Sequence, residues 1–191
     1  MKNSFYTLAL IFLFFSCMPK NKLDIIDKNS KQESELLDSY CHVDSLMHNA
    51  IVEKESYSTF IGKAMAFYLS FPEENITPKM LWNAGIAGMT YARYAKDISD
   101  HTDMVEYAKK SIQIFDIIQK VYPDYDEIKN TYLYKGVIYD DILEDYDSAK
   151  HEYLEYTSKY PDDSASSNLK EYIKYLGSSA DDIYINFNTA E

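Results

Sequence analysis

The sequence predicts an all-α fold of antiparallel helix pairs that repeat along the chain. From about Tyr57 onward, large apolar residues recur at three- and four-residue steps, which places them on one face of successive helices. The segments carrying them also repeat: Phe71-Pro72 and Tyr122-Pro123 are 51 residues apart, and Tyr160-Pro161 follows 38 residues later. Five glycines and five prolines in 191 residues are too few for the closely spaced turns of a many-stranded β architecture.

The first element is not part of that fold. Met1-Lys2-Asn3 and the eleven apolar residues Phe5 to Phe15 have the layout of a secretory leader spanning residues 1–16. As a helix the apolar run reaches about 16 Å, against roughly 30 Å of hydrocarbon, so it is too short to span a bilayer. Ser16 is the small residue expected before a cleavage site, and Cys17 follows it. Residues 17–35 are polar and rich in Lys, Asn, Asp and Ser, and read as a flexible tether with at most a weak helix near Ile25. The folded body is expected over 36–191.

Within that body, Leu36, Leu37, Tyr40, Val43, Leu46 and Ile51 fit a first helix. Phe60, Ala64, Phe67, Tyr68 and Phe71 mark a second, stopped by Pro72 because a residue before proline avoids the α region. Thr77-Pro78 offers an N-cap hydroxyl followed by proline at the first helical position, opening a third helix through Ala92 or somewhat beyond. After the break at 99–102, Val105, Ala108, Ile112, Phe115, Ile118 and Val121 carry a fourth. Asp124 or Asp126 is expected to cap the fifth, with Ile128, Tyr132, Gly136, Tyr139 and Leu143 on its face. Ala149, Tyr153, Tyr156 and Tyr160 define a sixth, ended by Pro161. A seventh covers roughly 166–176 and closes at Gly177, and Ser179 with Asp182 forms a capping box before a terminal turn.

The repeat is finer than the prolines alone. Gly85 and Gly136 share the 51-residue spacing, Trp82 aligns with Leu133, and Ile86 aligns with Val137. A shift of 38 places Ser111 on Ala149, Phe115 on Tyr153 and Ile118 on Tyr156. The difference between 51 and 38 is assigned to a longer first helix or loop between Tyr91 and Thr102. A glycine inside a helix costs about 1 kcal/mol relative to alanine. Its recurrence at one phase predicts close approach of the partner helix, with Ser111 and Ala149 as the small residues opposite. A lone pair cannot bury its apolar face, whereas stacked pairs form a continuous core.

Leu133, Gly136, Tyr139, Ala149, Tyr153 and Pro161 follow an order of large apolar, Gly, aromatic, then Ala, aromatic, Pro. In this the chain resembles tetratricopeptide-repeat (TPR) proteins, most closely the small TPR lipoproteins of Gram-negative envelopes. These include the TPR subunit of the outer-membrane assembly complex and the periplasmic coordinator of the Tol–Pal system. Leu13-Phe14-Phe15-Ser16-Cys17 resembles a bacterial lipobox, with Ser16 and Cys17 matching and Phe14 and Phe15 departing from it. These resemblances imply a right-handed α-solenoid of two to three repeats. They also imply lipid on Cys17, a place at the outer membrane facing the periplasm, and a groove lined by first helices. Lys79 and Asn83 in one repeat, and Asn130 and Tyr134 in the next, sit at the phases that face that groove. The implied partners are other envelope proteins.

Charge and motifs narrow the function from the other side. The net charge of −12 is the wrong sign for neutralising phosphates, so nucleic acid and anionic lipid headgroups are not expected partners. No phosphate-binding, nucleophile-elbow or HExxH motif occurs. His42, His48, His101 and His151 are scattered, and Cys41-His42 lacks ligand spacing, so no catalytic residue, cofactor or metal site is expected. With Cys17 lipidated, Cys41 is a lone thiol, expected as a small buried hydrophobe. The acidic stretch from Asp140 to Asp147 is expected to be a solvated turn. The alternative to an interaction module is a binding protein or hydrolase for an envelope small molecule or glycan, stacking it on Trp82 and the 19 tyrosines. It requires a deep pocket with convergent polar groups.

Overall fold

The computed structural model describes residues 20–178, with side chains from residue 28. Among these residues there are seven α-helices and no strand. They are α1 (Lys20–His48), α2 (Lys54–Ser70), α3 (Thr77–Asp97), α4 (His101–Val121), α5 (Ile128–Val137), α6 (Tyr146–Lys159) and α7 (Ser164–Tyr172). Helix α5 runs on through a π-helical turn, Ile138–Ile142, and α7 ends in a 3₁₀ turn, Ile173–Tyr175. Each helix packs on its neighbours in the chain. The leader, Cys17 and the Ser179–Asp182 capping box lie outside the described residues.

Two kinds of junction alternate. The first is the aromatic-Pro turn. Phe71, Tyr122 and Tyr160 leave their helices with nearly one geometry, φ/ψ of −141°/61°, −124°/58° and −127°/58°. Each proline imposes this by driving the residue before it out of the α region. Three residues later Glu74, Tyr125 and Asp163 donate their N–H back to those aromatic carbonyls at 3.3, 3.0 and 3.1 Å. Thr77, Ile128 and Ser166 repeat the step one turn on, each at 2.9 Å. The second kind reverses the chain through a left-handed residue: Ala50 (φ 53°), Ser99 (φ 61°) and Glu144 (φ 56°). The residue after each donates its N–H back into the preceding helix, Ile51 to Leu46 at 2.9 Å, Asp100 to Ala95 at 2.8 Å and Asp145 to Tyr139 at 2.8 Å. The last bond reaches one residue further because the π turn takes up an extra residue.

Several expectations are corrected. Residues 20–35 are helical and form the first half of α1, continuous with the helix expected from Leu36. The run is polar, but it holds no proline or glycine to stop a helix. Asn29 Nδ2 donates to Glu74 at 2.7 Å and Lys63 donates to the Glu35 carbonyl at 3.1 Å, tying α1 to the α2–α3 layer. Cys41 is exposed on α1 rather than buried. Thr77 does not cap α3; its hydroxyl donates to the Phe71 carbonyl at 2.8 Å, closing the turn before it. Neither Asp124 nor Asp126 caps α5, whose N-cap is Glu127 without a side-chain bond. Helix α7 starts two residues early, at Ser164, because the Asp163 carboxylate accepts from the Ala165 N–H at 2.9 Å.

The length difference between the repeats is shared by both helices of a pair. Helix α3 has 21 residues against 15 for α5 with its π turn, and α4 has 21 against 14 for α6. The interior glycines do mark close approach, but to aromatic rings. A Cβ on Gly85 would lie 2.6 Å from the Phe115 ring, and one on Gly136 would lie 2.2 Å from the Tyr153 ring. Ser111 packs beside Gly88 instead and donates its hydroxyl to the Gly85 carbonyl at 2.6 Å. Ala149 is fully buried, and Tyr57, Tyr107, Tyr156, Phe60, Phe67 and Phe115 are the largest buried side chains of the core.

Candidate functional site

The four residues expected to face a groove lie on α3 and α5, which meet through side chains, while the π turn after α5 packs on α3. Trp82 on α3 meets Tyr134 on α5 at a ring-centroid distance of 5.3 Å. Further along, Arg93 Nη2 pairs with Asp141 at 2.6 Å. Lys96 pairs with Glu144 at 2.9 Å and also donates to the Asp141 carbonyl. The acidic turn is therefore tied to α3, not merely solvated. As the N-cap of α6, Asp145 accepts from the Ser148 hydroxyl at 2.7 Å and from the Ser148 N–H at 3.1 Å, which hold its carboxyl below the usual range. Asp140 accepts from the Tyr172 hydroxyl at 2.5 Å, fastening α7.

The four differ in what they can offer a ligand. Lys79 is exposed and makes no ion pair within the described chain. Asn83 is half-buried, and its Nδ2 is shielded from solvent without a hydrogen-bond partner. An amide donor left so costs about 1–3 kcal/mol unless something accepts from it. Asn130 is already engaged, its Nδ2 donating to Glu127 at 2.5 Å. Tyr134 is a packing residue as much as a lining one, stacked at 18° and 6.1 Å on Phe115.

Two arrangements were not legible as sites. One is the aromatic cluster of Trp82, Phe115, Tyr125 and Tyr134, with Trp82 5.6 Å from Phe115 and 6.5 Å from Tyr125. The other is a buried ion group between α4, α5 and α6. Lys135, 6% exposed, lies 2.6 Å from Asp116 and 2.7 Å from Glu152, itself 7% exposed. Burial pulls the Lys135 pKa down, but the two carboxylates outweigh it and raise it above the usual value. The ammonium is therefore a fixed charge rather than a base. A signal existed: Lys135 directly precedes the interior Gly136, where the other repeat has Ala84 before Gly85.

All four histidines are exposed. Among the described residues no three His, Cys, Asp or Glu side chains converge as metal ligands, and no helix is long and apolar enough to cross a membrane. What α3 and α5 present is a half-exposed face of one lysine, amides and aromatics. Comparison with known proteins gave no match to a family model, a curated protein or a solved structure.

Proposed function

We propose that this chain is a tetratricopeptide-type lipoprotein of the bacterial envelope that binds other proteins through the α3–α5 face and catalyses nothing. In this reading α1/α2, α3/α4 and α5/α6 are successive repeats of a right-handed solenoid and α7 closes the last. The observation that carries it is the double recurrence of junction geometry: three aromatic-Pro turns and three left-handed turns, alternating along the chain. A repeat protein needs such constancy, because each pair must present the same surface to the next. The unpartnered Nδ2 of Asn83 supports the face as the binding surface. The lipobox-like sequence supports an anchor on Cys17, at the outer membrane and facing the periplasm.

Capture of partners from detergent-solubilised envelopes by the tagged full chain tests the reading. Wild type is expected to retain a defined protein that Asn83→Ala loses at equal folded content. Recovery of no partner at any stringency overturns it. The anchor is tested separately: Cys17→Ser is expected to move the protein from the membrane pellet to the soluble or uncleaved fraction, with helix content unchanged. A Cys17→Ser chain that stays fully membrane-bound after verified leader cleavage excludes lipid as the tether.

A further inference from the structure

A cleft of about 370 Å³ opens at the edge of the molecule where the Tyr122-Pro123 turn meets the start of α3. It is lined by Pro78 and the run from Val121 to Asp126, which includes Tyr122, Tyr125 and the exposed Asp124 and Asp126. The floor is rigid. Tyr122 is locked by its hydroxyl, which donates to the Pro72 carbonyl at 2.8 Å, and Tyr125 rests on Trp82. Two prolines contribute wall without backbone donors. Glu73 stands close to Tyr122, and Glu127 with Asp126 close to Tyr125. Burial, reinforced by these carboxylates, pushes both phenols up to about 12, so neither adds a negative charge of its own.

Some carboxylates elsewhere are matched across helices. Asp141, Glu144, Asp103 and Asp163 each hold a lysine or arginine from another helix. Around this cleft no such pair forms among the described residues. Glu73, Asp124 and Asp126 make no ion pair among the described residues; Lys129, three positions after Asp126, is held by Asp163, and Lys79 and Lys120 pair with none of the described carboxylates. An apolar, aromatic floor under unmatched carboxylates is complementary to a group with an apolar stem and a cationic tip.

We propose that this cleft is a docking site for a basic, apolar segment of a partner protein, one arginine entering with its guanidinium against Asp124 and Asp126 and its stem over Tyr125. Arginine fits better than lysine because its planar fork can pair with carboxylate and ring face together. The site lies outside the α3–α5 face; it rests on the reading of the chain as a protein-binding module but uses different residues.

The test is a titration of the full chain in detergent with a fluorescein-labelled Phe-Arg-Phe-Arg peptide, read by anisotropy and by Trp82, the single tryptophan, which touches Tyr125. Binding is expected to exceed that of Phe-Glu-Phe-Glu at least tenfold, to weaken with added salt, and to fall tenfold or more in the Asp124→Asn/Asp126→Asn variant. Lys-for-Arg peptides are expected to bind several-fold more weakly. These substitutions are exposed, so the fold is not at risk; Tyr125→Leu provides an independent check on the floor. Equal binding of the Arg and Glu peptides, or no loss in the double variant, overturns the proposal. Binding lost in Asn83→Ala but kept in the aspartate variant also overturns it, while leaving the α3–α5 face intact as the protein-binding surface.

Discussion

In the α3/α4 pair the residue before the interior glycine is Ala84, and the position opposite is Ile114. In the α5/α6 pair the same places hold Lys135 and Glu152, buried and joined at 2.7 Å. Both pairs keep the glycine-on-ring contact, Gly85 on Phe115 and Gly136 on Tyr153. One backbone plan thus carries two interiors. At this position the long pair packs hydrocarbon, keeping its buried carboxylate, Asp103, near the chain reversal with Lys54 and Tyr91; the short one, with about two turns fewer in each helix, places ions there. A buried ion pair adds little net stability but is costly to break from one side. The α5/α6 pair is therefore expected to be the more easily damaged, and most of its rigidity is borrowed from links to α3 and α7.

The sharpest way to break this contrast is Lys135→Ala, which strands Glu152 in the interior. A loss of about 3–5 kcal/mol is expected in denaturant unfolding. Lys135→Ala with Glu152→Ile copies the α3/α4 interior and should recover most of it. A single variant costing under about 1 kcal/mol would remove the ion group from the account of stability.

Next in size are the glycines. Gly136→Ala and Gly85→Ala force a methyl into an aromatic ring, at a cost of about 1–3 kcal/mol by overpacking. Gly136 should suffer more, since its Cβ would lie 2.2 Å from the ring against 2.6 Å for Gly85. Gly62 in α2 has nothing within 4 Å, so Gly62→Ala should stabilise by up to about 1 kcal/mol through helix propensity alone. Thermal unfolding of the three variants checks whether sign follows contact.

Acid should act on both regions, since Asp103 in α4 is also held down by Lys54. Asp163 is held down to about 2 by Lys129, the Ala165 N–H and the Tyr156 hydroxyl, and Asp145 is lowered by Ser148. Depressed carboxylates contribute stability that is present above their unfolded pKa of about 4 and lost as pH falls through the folded value. Melting followed from pH 5 to pH 2 should therefore show a progressive loss, reduced in Asp163→Asn. A melting temperature flat over that range contradicts it. Smallest are the left-handed turns: Ser99→Gly should stabilise by about 1 kcal/mol. Glu144→Gly should gain less, because it gives up the exposed pair with Lys96.

Most of the fold's punctuation was legible. Prolines 72, 123 and 161 act locally on the residue before them, so their effect survives any tertiary context. Gly85 and Gly136 were legible as contact points because they violate helix propensity in register. The identity of the contact was not, since spacing tells that a helix comes close but not which side chain meets it. The helix over 20–35 escaped because a polar run has no hydrophobic period, although nothing in it opposes a helix. Asp124 and Asp126 misled as caps because composition near a helix start is not geometry at its N-cap. The candidate face was half legible. Lys79 and Asn83 are available there, whereas Asn130 and Tyr134 are already committed to Glu127 and Phe115.

The continuity of α1 carries a mechanical consequence. At about 1.5 Å per residue its 29 residues make a rod of roughly 43 Å, against roughly 26 Å for the 17 of α2. Asn29 is clasped by Glu74, and from there the rod continues back nine residues to Lys20, three positions after Cys17. A string would fix only how far the body can wander from its point of attachment. A rod seated in the body transmits torque, so whatever fixes its foot also fixes the bearing of the α3–α5 face.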